Sequence, residues 1–461
     1  MSWDALREKH DQEERRAEEG GGAAKLARQK RLDRLTVRER IDALIDEGSF
    51  VEIERQTSAD GVVCGIACVD GRSVGVIAHD ATVARGTVGR AAAHKMTRVM
   101  DLAARGGFPV VTLADSEGAR VAENIDAIDA YGATIRGVVA LRRDVLQITL
   151  VCGLCVGGAA YAATLNDWVA MVDERSFMFV TGGKVTRVAV GEDASIEDLG
   201  GARMHARFTG ACHAVVADER AGIAWVKRLL SFAVPVVPSA DPVERETREI
   251  EDVVPTDPRR TYDMRGVVRA ICDEGSTLEL SEDFGKSLLT VLGRIGGKRV
   301  AIVASQPKNV AGALDVDASR KGAHFVMWAS KMQIPIVTLV DVPGYLPGLE
   351  QERGGIIPFG ALLLVAYGEA KVPHVCVVVR KCFGGAAVLS FTASIRLALP
   401  TARIAPMGVD AAMEVVAGAE RETWLAENDH GWAAAEQGYI DRVITPASVR
   451  QELARALASL E

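Results

Sequence analysis

The stretch GRSVGVIA at 71–78 returns as GKRVAIVA at 297–304, 226 positions later. At the same spacing FPVVTLADSEGAR (108–120) lies over IPIVTLVDVPGYL (334–346), and the tetrapeptide GGAA at 157–160 recurs at 384–387, one position further on. Three landmarks in one order at one spacing mark an internal duplication. The chain must therefore fold as two copies of one unit, and any reading of a single motif has to hold for its twin. With 461 residues to divide, each copy has the size of an ordinary domain.

Each copy reads as strand, amphipathic helix, strand, loop, helix, strand, with apolar strands such as PVVTLAD and PIVTLVD. Continuous apolar strands alternating with helices predict an α/β fold whose sheets are covered on both faces. The Pro- and charge-rich segment near 235–265 separates the copies. The expected layout is a helical arm over 1–55, a first domain over 56–235, a linker over 236–265 and a second domain over 266–461.

Composition narrows the function. Hydrophobic residues make up 48 % and charged residues 25 %, as in globular proteins, and the formal net charge of −8 argues against a nucleic-acid surface. The charged start, without an apolar core, reads as no signal peptide, and no apolar run is long enough to span a bilayer. No membrane association and a cytoplasmic location are expected. Of eight cysteines only Cys152 and Cys155 form a CxxC, and nothing completes a zinc site, so buried reduced thiols and no metal are expected.

In both copies a strand runs into Gly-Gly and then an Ala-rich helix, as LCVGGAAYAA and KCFGGAAVLS. Such a turn presents unpaired backbone N–H groups where the helix dipole favours negative charge, and glycine admits a ligand close to the backbone. Two N–H groups aimed at one carbonyl oxygen make an oxyanion hole. The plainer reading, glycine for tight packing, is weakened by the recurrence. GxxxxGK[ST], GxGxxG and GxSxG are absent, which disfavours nucleotide binding and serine hydrolysis. His205 and His213 are spaced unlike ligands on one helical face and read as hydrogen-bonded or site-shaping.

Longer stretches carry a resemblance: LTVRERIDALIDEGSFVEI (35–53), CVDGRSVGVIAHDATVARGTVG (68–89), DSEGARVAENIDAIDAYG (115–132), GLCVGGAAY (153–161), FMFVTGGKVTRVAVGEDASIEDLGGARMH (177–205), TYDMRGVV (261–268), QPKNVAGALDVDASRKGAHFV (306–326), PIVTLVDVPGYLPGLEQERGGIIPFGALLLVAYGEAKVP (335–373) and RKCFGGAA (380–387). Over nearly its whole length the chain resembles the carboxyltransferase (β) subunits of biotin-dependent acyl-CoA carboxylases of the propionyl-CoA carboxylase type.

The resemblance implies two tandem crotonase-like (ClpP/crotonase) domains, with acyl-CoA on the first and biotin on the second. It implies transfer of a carboxyl group from carboxybiotin to the α-carbon of an acyl-CoA through an enolate. The N–H groups of Gly157 and Gly158 would hold the thioester oxygen, and those of Gly385 and Ala386 the ureido oxygen, with Gly384, Gly344 and Tyr345 beside the biotin. Lys95, Ser116, Gly118, Ala119, Arg120 and Val388 would contact the acyl-CoA, Lys95 and Arg120 as cations for its phosphates. Biotin would arrive on a separate biotin carboxylase/carrier subunit, because no AMKM-type motif or ATP-binding domain is seen, and the chain would assemble as a homodimer stacked into a hexamer. Alternatives are a biotin-dependent decarboxylase or transcarboxylase subunit, or a catalytically impaired scaffold. The sequence departs from the family's pattern at Glu117, Pro358, Phe359, Ala387 and Val388. The last two leave apolar volume that points to a longer or branched acyl group.

Overall fold

The computed structural model describes residues 2–56, 60–416, 420–428 and 430–460, with backbone alone for Lys184, Val388 and 426–428. The chain divides into two compact units, Met1–Ser231 and Phe232–Glu461.

In the first unit the described residues form an eight-stranded sheet: β1 (Val51–Glu52), β2 (Val62–Val69), β3 (Arg72–His79), β4 (Val110–Ser116), β5 (Gln147–Val156), β6 (Trp168–Val172), β7 (Phe177–Phe179) and β8 (Ala214–Val216). The order is β1-β2-β3-β4-β5-β6-β8, with β7 paired to the end of β5. In the second unit β9 (Leu278–Leu280), β10 (Leu288–Ile295), β11 (Lys298–Ser305), β12 (Ile336–Val342), β13 (His374–Phe383), β14 (Ile395–Ala398), β15 (Arg403–Ala405) and β16 (Arg442–Val443) follow the same plan. Their order, β16-β14-β13-β12-β11-β10-β9 with β15 on β13, is that of the first sheet. In each sheet the strands from the third onward are parallel, as crossover helices require. Central strands are buried along their whole length, which explains their unbroken apolar runs.

Local chemistry sets the element ends. The helix Arg90–Gly106 stops at Gly107, which takes the left-handed conformation (φ 65°) and donates to the Ala103 carbonyl. Its counterpart Val316–Lys331 starts at Asp315, whose carboxylate accepts the Ala318 N–H at 2.7 Å. The duplication reaches further back in each unit than the three sequence landmarks. Asp46 accepts the N–H groups of Asp70 and Gly71 in the β2–β3 turn, and Asp273 accepts those of Gly296 and Gly297 in the β10–β11 turn. The ion pair Arg38–Glu52 recurs as Arg265–Glu279. Arg38, Asp46 and Glu52 lie in the stretch that the sequence reading assigned to the arm, and Arg265 in the one assigned to the linker, whereas Asp273 and Glu279 fall within the expected second domain.

The helix Trp3–Glu19 buries no residue. It is tied to the unit by Arg55, which pairs with Glu14 at 2.7 Å and Glu18 at 3.0 Å, and by Arg38, which donates to the Ala17 carbonyl.

Candidate active site

The first glycine turn closes β5. Gly157 (φ 58°, ψ −119°) is the N-cap of the helix Gly158–Leu165. This backbone conformation belongs to glycine. The Gly157 N–H, one of the two expected donors, donates to the Phe179 carbonyl at 3.0 Å and joins β5 to β7. The first intrahelical bond runs from Tyr161 N to Gly157 O. Gly158 and Ala159 therefore open the helix without an intrahelical acceptor, and they, not Gly157 and Gly158, match Gly385 and Ala386 in register.

Around this turn the structure gathers several of the expected residues. Ser116 ends β4, and its Oγ accepts the Gly118 N–H at 3.1 Å. Gly118 has φ 92°, and a Cβ there would stand 2.8 Å from the Val156 carbonyl, so this loop passes directly over the strand end. Ala119 pairs with Val88 in a single bridge. A Cβ on Gly158 would land on the ring of Tyr131. Burial raises the Tyr131 phenol well above its ordinary pKa. Tyr131 was missed in the sequence, although it lies inside the quoted stretch DAIDAYG.

Two expected cations are committed inside the protein. Lys95 is 2 % exposed and pairs with Asp60 at 2.7 Å, with the Val62 carbonyl at 3.3 Å. Its counterpart Lys321 donates to the Phe284 and Leu288 carbonyls at 3.0 and 2.8 Å. Lys95 thus fastens its helix to the start of β2. Arg120 binds the Asp60 and Thr87 carbonyls and, at 3.4 Å, Glu123. Glu117 pairs with Arg85 at 3.0 Å.

The second turn repeats the first with other furniture. Gly384 (φ 62°) follows β13, then Gly385 is exposed and Ala386 and Ala387 are buried. Gly344 (φ 139°) accepts the Leu314 N–H, and Tyr345 bridges Leu314 as Ala119 bridges Val88. The Tyr345 ring lies 3.7 Å from the position of a Cβ on Gly385, so Gly344, Tyr345 and Gly385 do come together. The ring that flanks each glycine comes from a different place: a helix in the first unit, a loop in the second. The Val388 side chain lies outside the described residues. Phe359 stacks under the Arg320 guanidinium, 5.5 Å from ring centroid to cation.

Beside the second turn is a cavity of about 600 Å³ bordered by Gly384, Gly385, Ala387, Phe391, Ile404 and Tyr439, among others. Ala405 pairs with Phe383 as Phe179 pairs with Val156, so an alanine stands where the first unit has a phenylalanine. His205 donates toward or accepts within its own loop through Thr209 and meets the Met178 carbonyl at 2.5 Å, and His213 accepts the Val169 N–H at 2.9 Å. Both are hydrogen-bonded, as expected. Burial pushes the Cys152 and Cys155 thiols up to about 12, so neither is a thiolate at neutral pH. Among the described residues no group of three or more His, Cys, Asp or Glu could hold a metal, and no helix is long and apolar enough to cross a membrane.

The family described as Carboxyl transferase domain matches residues 28–461. The chain belongs to this family. It is a carboxyltransferase of the biotin-dependent acyl-CoA carboxylases. This carboxyltransferase is 41 % identical over 491 residues to the propionyl-CoA carboxylase beta chain of Saccharopolyspora erythraea, covering 95 % of this chain and 90 % of that one. It is 36 % identical to the methylmalonyl-CoA decarboxylase subunit alpha of Propionigenium modestum, covering 96 % and 93 %. Its fold superimposes on the transcarboxylase 12S hexamer core, solved with methylmalonyl-coenzyme A and methylmalonic acid bound, with a TM-score of 0.96 at 35 % identity, covering 100 % of this chain and 96 % of that one. The duplicated crotonase-like architecture is thereby the family's own.

Proposed function

We propose that this carboxyltransferase moves a carboxyl group from carboxybiotin, carried on a separate biotin carboxylase/carrier subunit, to the α-carbon of an acyl-CoA. The observation that carries the reading is the pair of matched strand–glycine–helix turns, each with two helix-opening N–H groups and a tyrosine ring beside its glycine. Gly158 and Ala159 would donate to the thioester oxygen, stabilising the negative charge that develops as the α-proton leaves. Gly385 and Ala386 would donate to the ureido oxygen of biotin. Removing one such donor raises a barrier by about 2.7–4 kcal/mol. A flat bicyclic guest fits the second turn: Gly385 is open, Tyr345 offers a ring face, and the adjoining cavity is mostly apolar in lining. Biotin supplies the activated carboxyl group when bound; the chain's own groups orient it and hold the charge.

The acyl group in this reading is longer or branched, a reading supported by the small Ala387 at the cavity wall. A homodimer stacked into a hexamer and a reducing, cytoplasmic compartment belong to the same proposal. The hexamer of transcarboxylase 12S supports the first, and cysteines that form no disulfide support the second. The test is ATP- and bicarbonate-dependent carboxylation of an acyl-CoA chain-length series, after co-purification with a biotinylated subunit. Carboxylation of no acyl-CoA overturns the function, and acetyl-CoA as the best substrate overturns the specificity. The similarity to a decarboxylase subunit supports the reverse direction as a second reading, which loss of CO₂ from methylmalonyl-CoA without ATP would support.

A further inference from the structure

Each sheet carries the same irregularity just before its glycine turn. Along β4 and β5, Ala114 pairs with Val151 but Ser116 pairs with Cys155, so Asp115 faces Cys152, Gly153 and Leu154. Along β12 and β13, Val340 pairs with Val378 but Val342 pairs with Cys382, so Asp341 faces Val379, Arg380 and Lys381. Bulges of this kind bend a strand and re-aim the residues beyond the bend. The two aspartates are buried, 3 % and 0 % exposed, and each is met by a guanidinium.

The guanidinium reaches the bulge from different parts of the chain in the two units. In the first it comes from outside the sheet: Arg34 Nη2 donates to Asp115 Oδ2 at 2.5 Å and to the Cys152 carbonyl at 3.1 Å. Arg40 adds a second donor to Asp115 at 3.1 Å and joins Glu219 at 2.6 Å. In the second it comes from the strand itself: Arg380 Nε donates to Asp341 Oδ2 at 2.9 Å, and its Nη1 reaches outward to the Asp257 and Arg260 carbonyls at 3.0 and 2.9 Å. At the duplication spacing Arg380 stands where the first unit has Gly153, and Thr261 stands where it has Arg34. The exchange is reciprocal. A Cβ at Gly153 would land on Asp115 Oδ1 and Arg34 Nη2, so a side chain there and Arg34 exclude each other.

We infer that Arg34 and Arg380 are positioning residues for the carboxyl transfer: acting through Asp115 and Asp341, each fixes the bulge from which its glycine turn is aimed. Gly153 and Arg380 both lie four residues before the glycine that leaves the strand, Gly157 and Gly384. Misplacing a reacting group by about 1 Å is enough for a loss on the order of 10²-fold. The inference rests on the function proposed above, in which those turns hold the developing charge.

The test uses the full chain, with methylmalonyl-CoA as donor and free biotin as acceptor, each varied in turn, alongside thermal unfolding. Arg34→Ala is expected to lower kcat on the order of 10²-fold with little change in KM, the pattern of an interaction made in the transition state. Gly153→Arg alone is expected to do the same, because a third guanidinium then competes with Arg34 and Arg40 for one carboxylate. Arg34→Ala/Gly153→Arg, which rebuilds in the first unit the arrangement of the second, is expected to recover to within about 10-fold of the parent. A double variant no more active than the worse single, or a change confined to KM, overturns the inference. Should a single variant fail to fold, Arg380→Lys replaces it, keeping the charge but losing the fork. A lowered kcat at an unchanged melting temperature then supports positioning, and an unchanged kcat overturns it. If the parent transfers no carboxyl group from any CoA thioester, the proposed function fails instead. The mutual exclusion of Arg34 and a side chain at Gly153 is still read from the double variant, which should melt above both singles.

Discussion

A methyl group added at Gly158 and one added at Gly385 meet different surroundings. The first lands on the Tyr131 ring, and the second stands 3.7 Å from Tyr345 in ordinary contact. Gly158→Ala should therefore push the helix start off its position and lower kcat on the order of 10²-fold. Gly385→Ala should stay within about 10-fold of the parent, because its neighbour needs no displacement. Steady-state kinetics of both variants checks the contrast, and equal losses would refute it. The two buried lysines part company as well. Removing Lys95 leaves Asp60 buried without its cation, so Lys95→Met should lower stability by about 3–5 kcal/mol with KM for acyl-CoA unchanged in the fraction that folds. Lys321 meets carbonyls, and burial lowers its pKa to about 7, against about 10.4 in an unfolded chain. Between these values the unfolded chain binds more protons, so the parent's stability rises with pH relative to Lys321→Met. Below pH 7 both states are protonated and the penalty is full. Denaturant unfolding at pH 6 and 9.5 reads the difference; a pH-independent gap between parent and variant would sink the assignment. Lysines at both 95 and 321 were visible in the sequence at the duplication spacing, a hint that both serve packing.

Among elements, the turns β2–β3 and β10–β11 show how much local chemistry the duplication preserved. Both have consecutive left-handed residues, Asp70–Gly71 and Gly296–Gly297, and both are capped by an aspartate from another segment. They differ in stake. Asp273 also receives Arg450 Nη2 at 2.6 Å, from a side chain that is fully buried, whereas Asp46 is half-buried. Asp273→Ala should cost about 3 kcal/mol or more and Asp46→Ala about 1 kcal/mol, as read by urea unfolding. Burial raises the Asp273 pKa, but Arg450 and the turn N–H groups outweigh it and hold it below the ordinary value. Its contribution is therefore present above about pH 4 and lost as pH falls further. The strands and crossover helices were legible because apolar runs and helical periodicity are local signals. The bulges at Asp115 and Asp341 were not, since a bulge appears only when two strands are laid side by side. The guanidinium partners, 81 and 39 residues from their aspartates, were equally out of reach.

At the scale of the molecule, the repeat told how many units the chain has and in which order their elements run. It also located both glycine turns. It did not tell which N–H groups at the first turn are available, because the bond from Gly157 to Phe179 depends on β7 returning alongside β5. Nor did it give the true reach of the duplication, whose earliest matched pairs, Arg38–Glu52 and Arg265–Glu279, are conserved as contacts more than as strings of letters. One part of the chain has no twin in this scheme: the helix Trp3–Glu19, which buries nothing and is moored through Arg55 and Arg38. A mooring made of charge answers to ionic strength. At about 1 M salt the Debye length falls to about 3 Å, while apolar burial in the sheets is not weakened. Limited proteolysis should therefore clip the first twenty residues sooner in 1 M than in 0.1 M sodium chloride, with no fall in melting temperature. Equal clipping rates would show the helix held by something other than its ion pairs. The body of the enzyme would keep its shape in brine; its leading helix would be the part that lets go.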